Sequence, residues 1–257
     1  MLATTLALGW RLAIFLAAGV AGGIANGIAG GGTFLTFPTL LALGIPALQA
    51  NVSTSVGVVP SYVGGIRGFR VELGEHRQLV RSLAPWCLVG SAVGCTLLLT
   101  GSPATFRHVV PWLIGAATLL FALAPAITTR LAHVDHTRGA RRWALVAGIF
   151  LASVYGGYFG AGLGILLLAV MAVSLPLEIH ELQGIRSLLS MIINLFAAAV
   201  FLIRGHLALD AVYMLAVGAL IGGWLGTVLI KRLSATVVRT LVIATGLVTT
   251  VYLALGK

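Results

Sequence analysis

Apolar residues recur along the chain in ten runs, at about 13–28, 33–44, 47–66, 82–100, 109–125, 143–160, 163–176, 182–203, 208–230 and 240–255. Most approach the roughly 20 residues a helix needs to cross hydrocarbon, so they predict membrane helices. Two of them, 33–44 and 163–176, are too short. At 1.5 Å per residue each would reach little more than about half of a core roughly 30 Å thick. These two are expected to be half-helices or re-entrant segments.

A glycine-rich stretch leads into each short run: "GIAGGGTFLTFP", Gly27 to Pro38, and "GAGLGI", Gly160 to Ile165. Unwinding there leaves backbone N–H and C=O groups that lipid cannot satisfy, so the segment must face protein, water or a ligand. Thr33 is positioned to cap the first half-helix. The exposed N–H groups and the positive end of the helix dipole make an anion the natural occupant of the gap. The plainer explanation is close helix packing by small residues. It suits an isolated pair of glycines better than two clusters at equivalent positions. Gly30, Gly31, Gly32 and Thr33 from the first copy, and Gly162 and Gly164 from the second, are therefore candidate ligand contacts.

Beyond each half-helix comes an apolar segment with a polar stripe. In "LQGIRSLLSMIINL", Gln183, Arg186, Ser187, Ser190 and Asn194 fall on one helical face. In "QANVSTSVGVVPSY", Asn51, Thr54 and Ser55 share a face with Ser53 beside it, and Pro60 is expected to break the helix a turn later. An arginine deep in a span costs roughly 2.5–3.5 kcal/mol on insertion scales and usually marks a substrate path. The alternative is that Arg186 snorkels to an interface, and its depth turns on where the helix begins. Glu178 and Glu181 are then interfacial, partners of Arg186 or proton carriers.

Sliding the sequence by 132 residues lays Gly30 on Gly162, Gly32 on Gly164, Asn51 on Gln183, Ser55 on Ser187 and Arg107 on Arg239. This predicts two homologous membrane repeats, 1–127 and 143–257, joined by a polar cytoplasmic linker at 128–142. Lys and Arg gather in cytoplasmic loops. Eleven basic residues fall around 65–81, in the linker and at 231–239, against Arg11, Arg107, Arg204 and Lys257 on the other side. The matched corners at 102–108 and 234–240 thus land on opposite faces. The expected fold is an all-α, multi-spanning membrane protein of two inverted-topology repeats, about five hydrophobic segments each, with both termini outside. Secondary transporters share this build, with the substrate held near the midplane at the repeat interface.

Composition agrees: of 257 residues, 59% are hydrophobic and 9% charged, and the mean hydropathy is +1.08. The net charge of +10 is largely the topology signal, helped by anionic lipid headgroups. No basic face of the kind nucleic acid requires is present. A cleavable signal peptide is a rival reading of residues 1–30; against it, no basic residue precedes Arg11, and cleavage would remove half of the recurring motif. Cys87 and Cys95 read as small core side chains on one span. The six histidines show no metal-ligand spacing, so no metal or cofactor is expected.

The two glycine-then-apolar segments, each followed by a helix of the type "ALQANVSTSVGVVP" or "LQGIRSLLSMIINL", resemble the TauE/SafE family of sulfite exporters, also called the toluene sulfonate uptake permease family. The resemblance covers about residues 13 to 255. It implies a permease of the bacterial cytoplasmic membrane moving sulfur-containing anions such as sulfite or organosulfonates, with proton coupling and a homodimer left open. The second copy departs from the pattern, with "GAGLG" for a full triple glycine and Arg186 where a threonine is expected beside Ser187. A passive anion channel of the same fold, and a membrane sulfur-relay enzyme using Cys87 or Cys95, are the alternatives.

Overall fold

Each of the ten apolar runs is carried by a helix in the computed structural model, which describes residues 2–63, 75–131, 138–229 and 235–255. In chain order the helices are α1 (Leu2–Ala29), α2 (Thr33–Ala42), α3 (Ala47–Gly57), α4 (Arg77–Thr100), α5 (Pro103–Leu131), α6 (Arg138–Tyr158), α7 (Leu163–Ser174), α8 (Ile179–Arg204), α9 (Leu209–Leu229) and α10 (Ala235–Ala254). Among the described residues there is no strand. The fold is all-α and membrane-embedded. The segments Gly9–Gly27, Arg77–Thr100, Glu181–Arg204 and Leu209–Gly226 are long and apolar enough to cross a bilayer.

The two short runs form the short helices α2 and α7, with 10 and 12 residues. The third helix is short as well: α3 ends at Gly57, ahead of Pro60, because a proline removes a helical hydrogen bond and crowds the preceding turn. Its partner under the 132-residue shift, α8, has no such residue and runs unbroken for 26 residues. The polar linker is helical at both ends, 128–131 and 138–142. Residues 132–137 lie outside the described residues.

The most extensive helix packing is between elements distant in the chain. Helix α1 runs along α9, and α4 runs along α6. Likewise α3 packs on α9 and α8 on α4, while α5 meets α10 and α3 meets α8. Both long pairs close on glycine. A Cβ built on Gly19 or Gly23 would lie 2.6 Å from the carbonyl oxygen of Leu215 or Ala219, and one on Gly218 would strike the Leu16 carbonyl. In the other pair a Cβ on Gly90 would stand 2.6 Å from the Phe150 carbonyl oxygen, and one on Gly94 would strike that of Val154. Lipid is as apolar as a side chain, so close backbone contact rather than hydrophobic burial must hold such helices together.

Two apolar clusters flank the centre. One gathers Phe15, Phe34, Phe37, Leu40, Phe106 and Phe159, with Phe37 and Phe159 edge to face at 5.4 Å between centroids. The other gathers Leu83, Ile149, Leu163, Leu167, Ile185 and Ile193. Outward, Leu88, Val89, Leu119, Leu151, Leu202 and Leu220 are exposed. An apolar surface of that kind suits hydrocarbon.

Leucine at Gly94 or Gly218 is expected to lower the thermal midpoint of detergent-purified protein, at a cost of about 1–3 kcal/mol for overpacking. Gly9→Ala, whose methyl meets nothing within 4 Å, leaves the midpoint unlowered. A fluorescence thermal-shift measurement compares the three.

Candidate functional site

The two glycine breaks meet. Gly30 and Gly162, paired by the 132-residue shift, both hold a left-handed φ, of 72° and 73°, which a side chain disfavours. Gly160 does the same at 77°. A Cβ on Gly30 would lie 2.9 Å from the Gly164 Cα, and a Cβ on Gly164 would lie 3.0 Å from the Gly30 Cα. The two backbones therefore touch at a point where neither can carry a side chain.

The Arg186 guanidinium lies against that contact. Its Nη1 is 3.0 Å from the Cβ position of Gly30 and 3.2 Å from that of Gly164. Helix α8 begins at Ile179, which sets Arg186 about two turns, or roughly 10 Å, along it. Arg186 is 3% exposed, so the snorkelling alternative is overturned. Glu178 and Glu181 are not its partners. Glu178 caps α8 in a reciprocal box with Glu181, and Glu181 pairs with His76 Nε2 at 2.7 Å.

The polar stripes expected on α3 and α8 are buried on packed helices. Their hydrogen bonds sort them. Ser55 donates to the Asn51 carbonyl, and Ser187 to that of Gln183, each at 2.9 Å. Ser53 accepts from the Ala208 N–H at 2.9 Å, which ties α3 to the connection after α8. The Asn51 amide donates to the Tyr158 carbonyl at 2.9 Å, at the end of α6. Four buried atoms of the expected residues, Asn51 Oδ1, Thr54 Oγ1, Arg186 Nε and Ser190 Oγ, have no hydrogen-bond partner. Burying a polar group unpaired costs about 1–3 kcal/mol on mutational scales, and these four atoms stand on α3 and α8, two helices that pack on each other. Gln183 is half-buried.

Thr33 does not cap α2. The cap is Gly32, no side chain bonds there, and Thr33 is the first helical residue. The chain turns at Gly30 and enters the helix with Gly32 already in the right-handed region, which leaves the Thr33 side chain one position too late. Gly32 packs instead, since a Cβ there would strike the Gly22 carbonyl on α1. Gly31 is buried and free of positive φ.

Three polar residues join the site that the stripes did not predict. The Asn194 amide donates to the Tyr62 hydroxyl at 3.1 Å and to the Ser190 carbonyl at 2.9 Å. Asn26 of α1 donates to the Ser61 hydroxyl at 2.8 Å, and the Gly30 N–H donates to the Asn26 carbonyl at 3.0 Å. Tyr62 lies near the Asn26 side chain and within electrostatic reach of Arg186. Asn26 carried a signal, a lone amide in an apolar run four residues before the break. Ser61 and Tyr62 carried none beyond following Pro60.

Glu75, His76 and Glu181 have ligand atoms within 4.8 Å of one another, a cluster hidden in the sequence by a separation of 105 residues. Both Glu181 oxygens are already engaged, by His76 and by the Glu178 N–H. Cys87 and Cys95 are free and buried, each packed in one of the two apolar clusters.

A multi-spanning helical protein with a buried cation at the crossing of two interrupted helices belongs to the class of membrane transporters. Residues 15–253 match the family described as "Sulfite exporter TauE/SafE", and the chain belongs to that family. It is similar to a protein of Haemophilus influenzae named "Probable membrane transporter protein", 24% identical over 235 residues and 90% of each chain. No solved structure matches it significantly.

Alanine at Gly30 combines a left-handed φ with contacts of 2.9 and 3.0 Å, whereas Gly44 has φ 80° and open space. Gly44→Ala is expected to cost about 1–2 kcal/mol for the backbone alone. Gly30→Ala is expected to exceed it by about 1–3 kcal/mol. Thermal unfolding of the two variants reads the difference.

Proposed function

We propose that this chain is a secondary transporter moving small sulfur-containing anions, sulfite or short organosulfonates, across the cytoplasmic membrane by alternating access. The observation that carries the reading is the Arg186 guanidinium, buried with no carboxylate partner among the described residues and set against both glycine breaks. A planar fork of donors can give two parallel hydrogen bonds to two oxygens of a sulfite or sulfonate group. At the N-terminus of α7, capped by Gly162 with no side-chain bond, the Leu163 and Ile165 N–H groups pair with the Gly160 and Gly162 carbonyls, and the positive end of the helix dipole still favours negative charge there. The Thr54 and Ser190 hydroxyls, on α3 and α8, lack hydrogen-bond partners among the described residues and are the neutral donors left to offer.

The two halves act as inverted repeats that rock against each other about this site. In support, the helix pairs come in exchanged sets: α1 with α9 and α6 with α4, α3 with α9 and α8 with α4. The equal left-handed φ of Gly30 and Gly162 supports the same symmetry. Both chain ends lie outside, on the side with fewer basic residues.

In proteoliposomes, Arg186→Ala is expected to slow sulfite or methanesulfonate uptake roughly 10- to 100-fold, the worth of a charge-assisted hydrogen bond. Arg186→Lys keeps the charge, loses the fork and falls between. Uptake of every tested anion at the wild-type rate in both variants would remove Arg186 from the mechanism.

A further inference from the structure

We propose that the chain is an anion exchanger: its site crosses the membrane readily when loaded with a monoanion and poorly when empty, so each anion leaving is matched by another entering. This rests on the reading that Arg186 binds the transported anion.

The inference comes from where the negative charges are. The sequence holds six acidic residues, Glu72, Glu75, Asp135, Glu178, Glu181 and Asp210. Glu72 and Asp135 lie outside the described residues. Of the others, Glu75, Glu178 and Asp210 are exposed and Glu181 is paired with His76. Among the described residues, no carboxylate faces Arg186. Its ionisable neighbour is Tyr62, and a phenol is neutral at neutral pH. The nearby hydroxyls and amides supply dipoles but no charge. The empty site therefore carries one positive charge in a water-poor interior, with the Arg186 Nε lacking an acceptor.

An uncompensated buried charge is strongly unfavourable, and pairing removes most of the penalty. A bound monoanion makes the site neutral and offers acceptors to the guanidinium. The glycine contact between the two halves must shift for the site to change sides, and it does so at least cost when the charge within it is cancelled. A dianion would leave one negative charge in place of the positive one, so the preferred cargo is a monoanion: bisulfite, or a sulfonate with a short apolar tail. The returning ligand is a small monoanion of the same kind. No group is present among the described residues of the core to carry a proton as a carboxylate would, so the counter-anion takes the role that a coupling proton would otherwise have.

The test uses the full chain in proteoliposomes loaded with labelled methanesulfonate in a Tris buffer, with potassium and valinomycin on both sides so that charge imbalance does not limit net flux. Outside is either unlabelled methanesulfonate or gluconate, a bulkier carboxylate. Efflux into methanesulfonate is expected to be faster by roughly 70- to 400-fold, the ratio to which the insertion cost of a central arginine corresponds. Equal efflux into the two solutions overturns the exchange mechanism and leaves anion transport standing. No protein-dependent efflux of methanesulfonate or bisulfite under either condition overturns the transport reading, and exchange with it. In Arg186→Gln the ratio is expected to fall toward one. A Gln variant that keeps the wild-type ratio overturns the assignment of exchange to the arginine charge, and if that variant does not fold the wild-type comparison decides.

Discussion

One guanidinium set on the crossing of two bare backbones organises the rest of this molecule. Arg186 enters the centre because two glycines there, Gly30 and Gly164, approach so closely that a methyl on either would meet the other's Cα. The same absence of side chains opens the space that Nη1 occupies. An arginine in a span costs roughly 2.5–3.5 kcal/mol to insert, and four unpartnered polar atoms add to that cost. Packing elsewhere must offset these terms.

That packing is of the kind a bilayer demands. The long pairs α1 with α9 and α4 with α6 meet through glycines whose carbonyl contacts leave no room for a Cβ. Rings fill the volume around the breaks, Phe34 against Gly162 and Phe37 against Phe159. At the starts of the short helices α2 and α7 the chain satisfies its own N–H groups locally, Phe34 on the Gly31 carbonyl and Leu163 on that of Gly160, as a segment in lipid must.

Membership of the sulfite exporter family accords with this arrangement, and the departure of the second copy from the triple glycine has a structural meaning. In the first copy Gly30 turns the chain and Gly32 caps and packs. In the second, Gly162 both turns the chain and caps α7, and Gly164 is left to press against Gly30. Two glycines carry these tasks in each copy, divided differently. The arginine then stands beside the copy whose helix α8 is unbroken, where a long side chain can be held from one side.

Much of this was legible along the chain. All ten helices sit on the apolar runs, because in lipid every backbone group must be bonded within its own segment and hydropathy reports that directly. The two short runs, the glycine clusters and the polar face from Asn51 and from Gln183 were likewise local patterns. Thr33 does not cap α2, because Gly32 holds the cap position and Thr33 is already the first helical residue. The Ser53 hydroxyl, a candidate ligand contact, also accepts from the Ala208 N–H, 155 positions away. Sequence alone determined where helices form and which residue types could meet an anion, since those follow from spacing and solvent. Only the tertiary structure decided that Gly30 would touch Gly164, that Arg186 would lie on the contact unpaired, that Asn26 and Tyr62 would join it, and that Glu181 would turn to His76. Each of these joins residues on different elements, most of them more than a hundred positions apart, and exists only once the helices have packed.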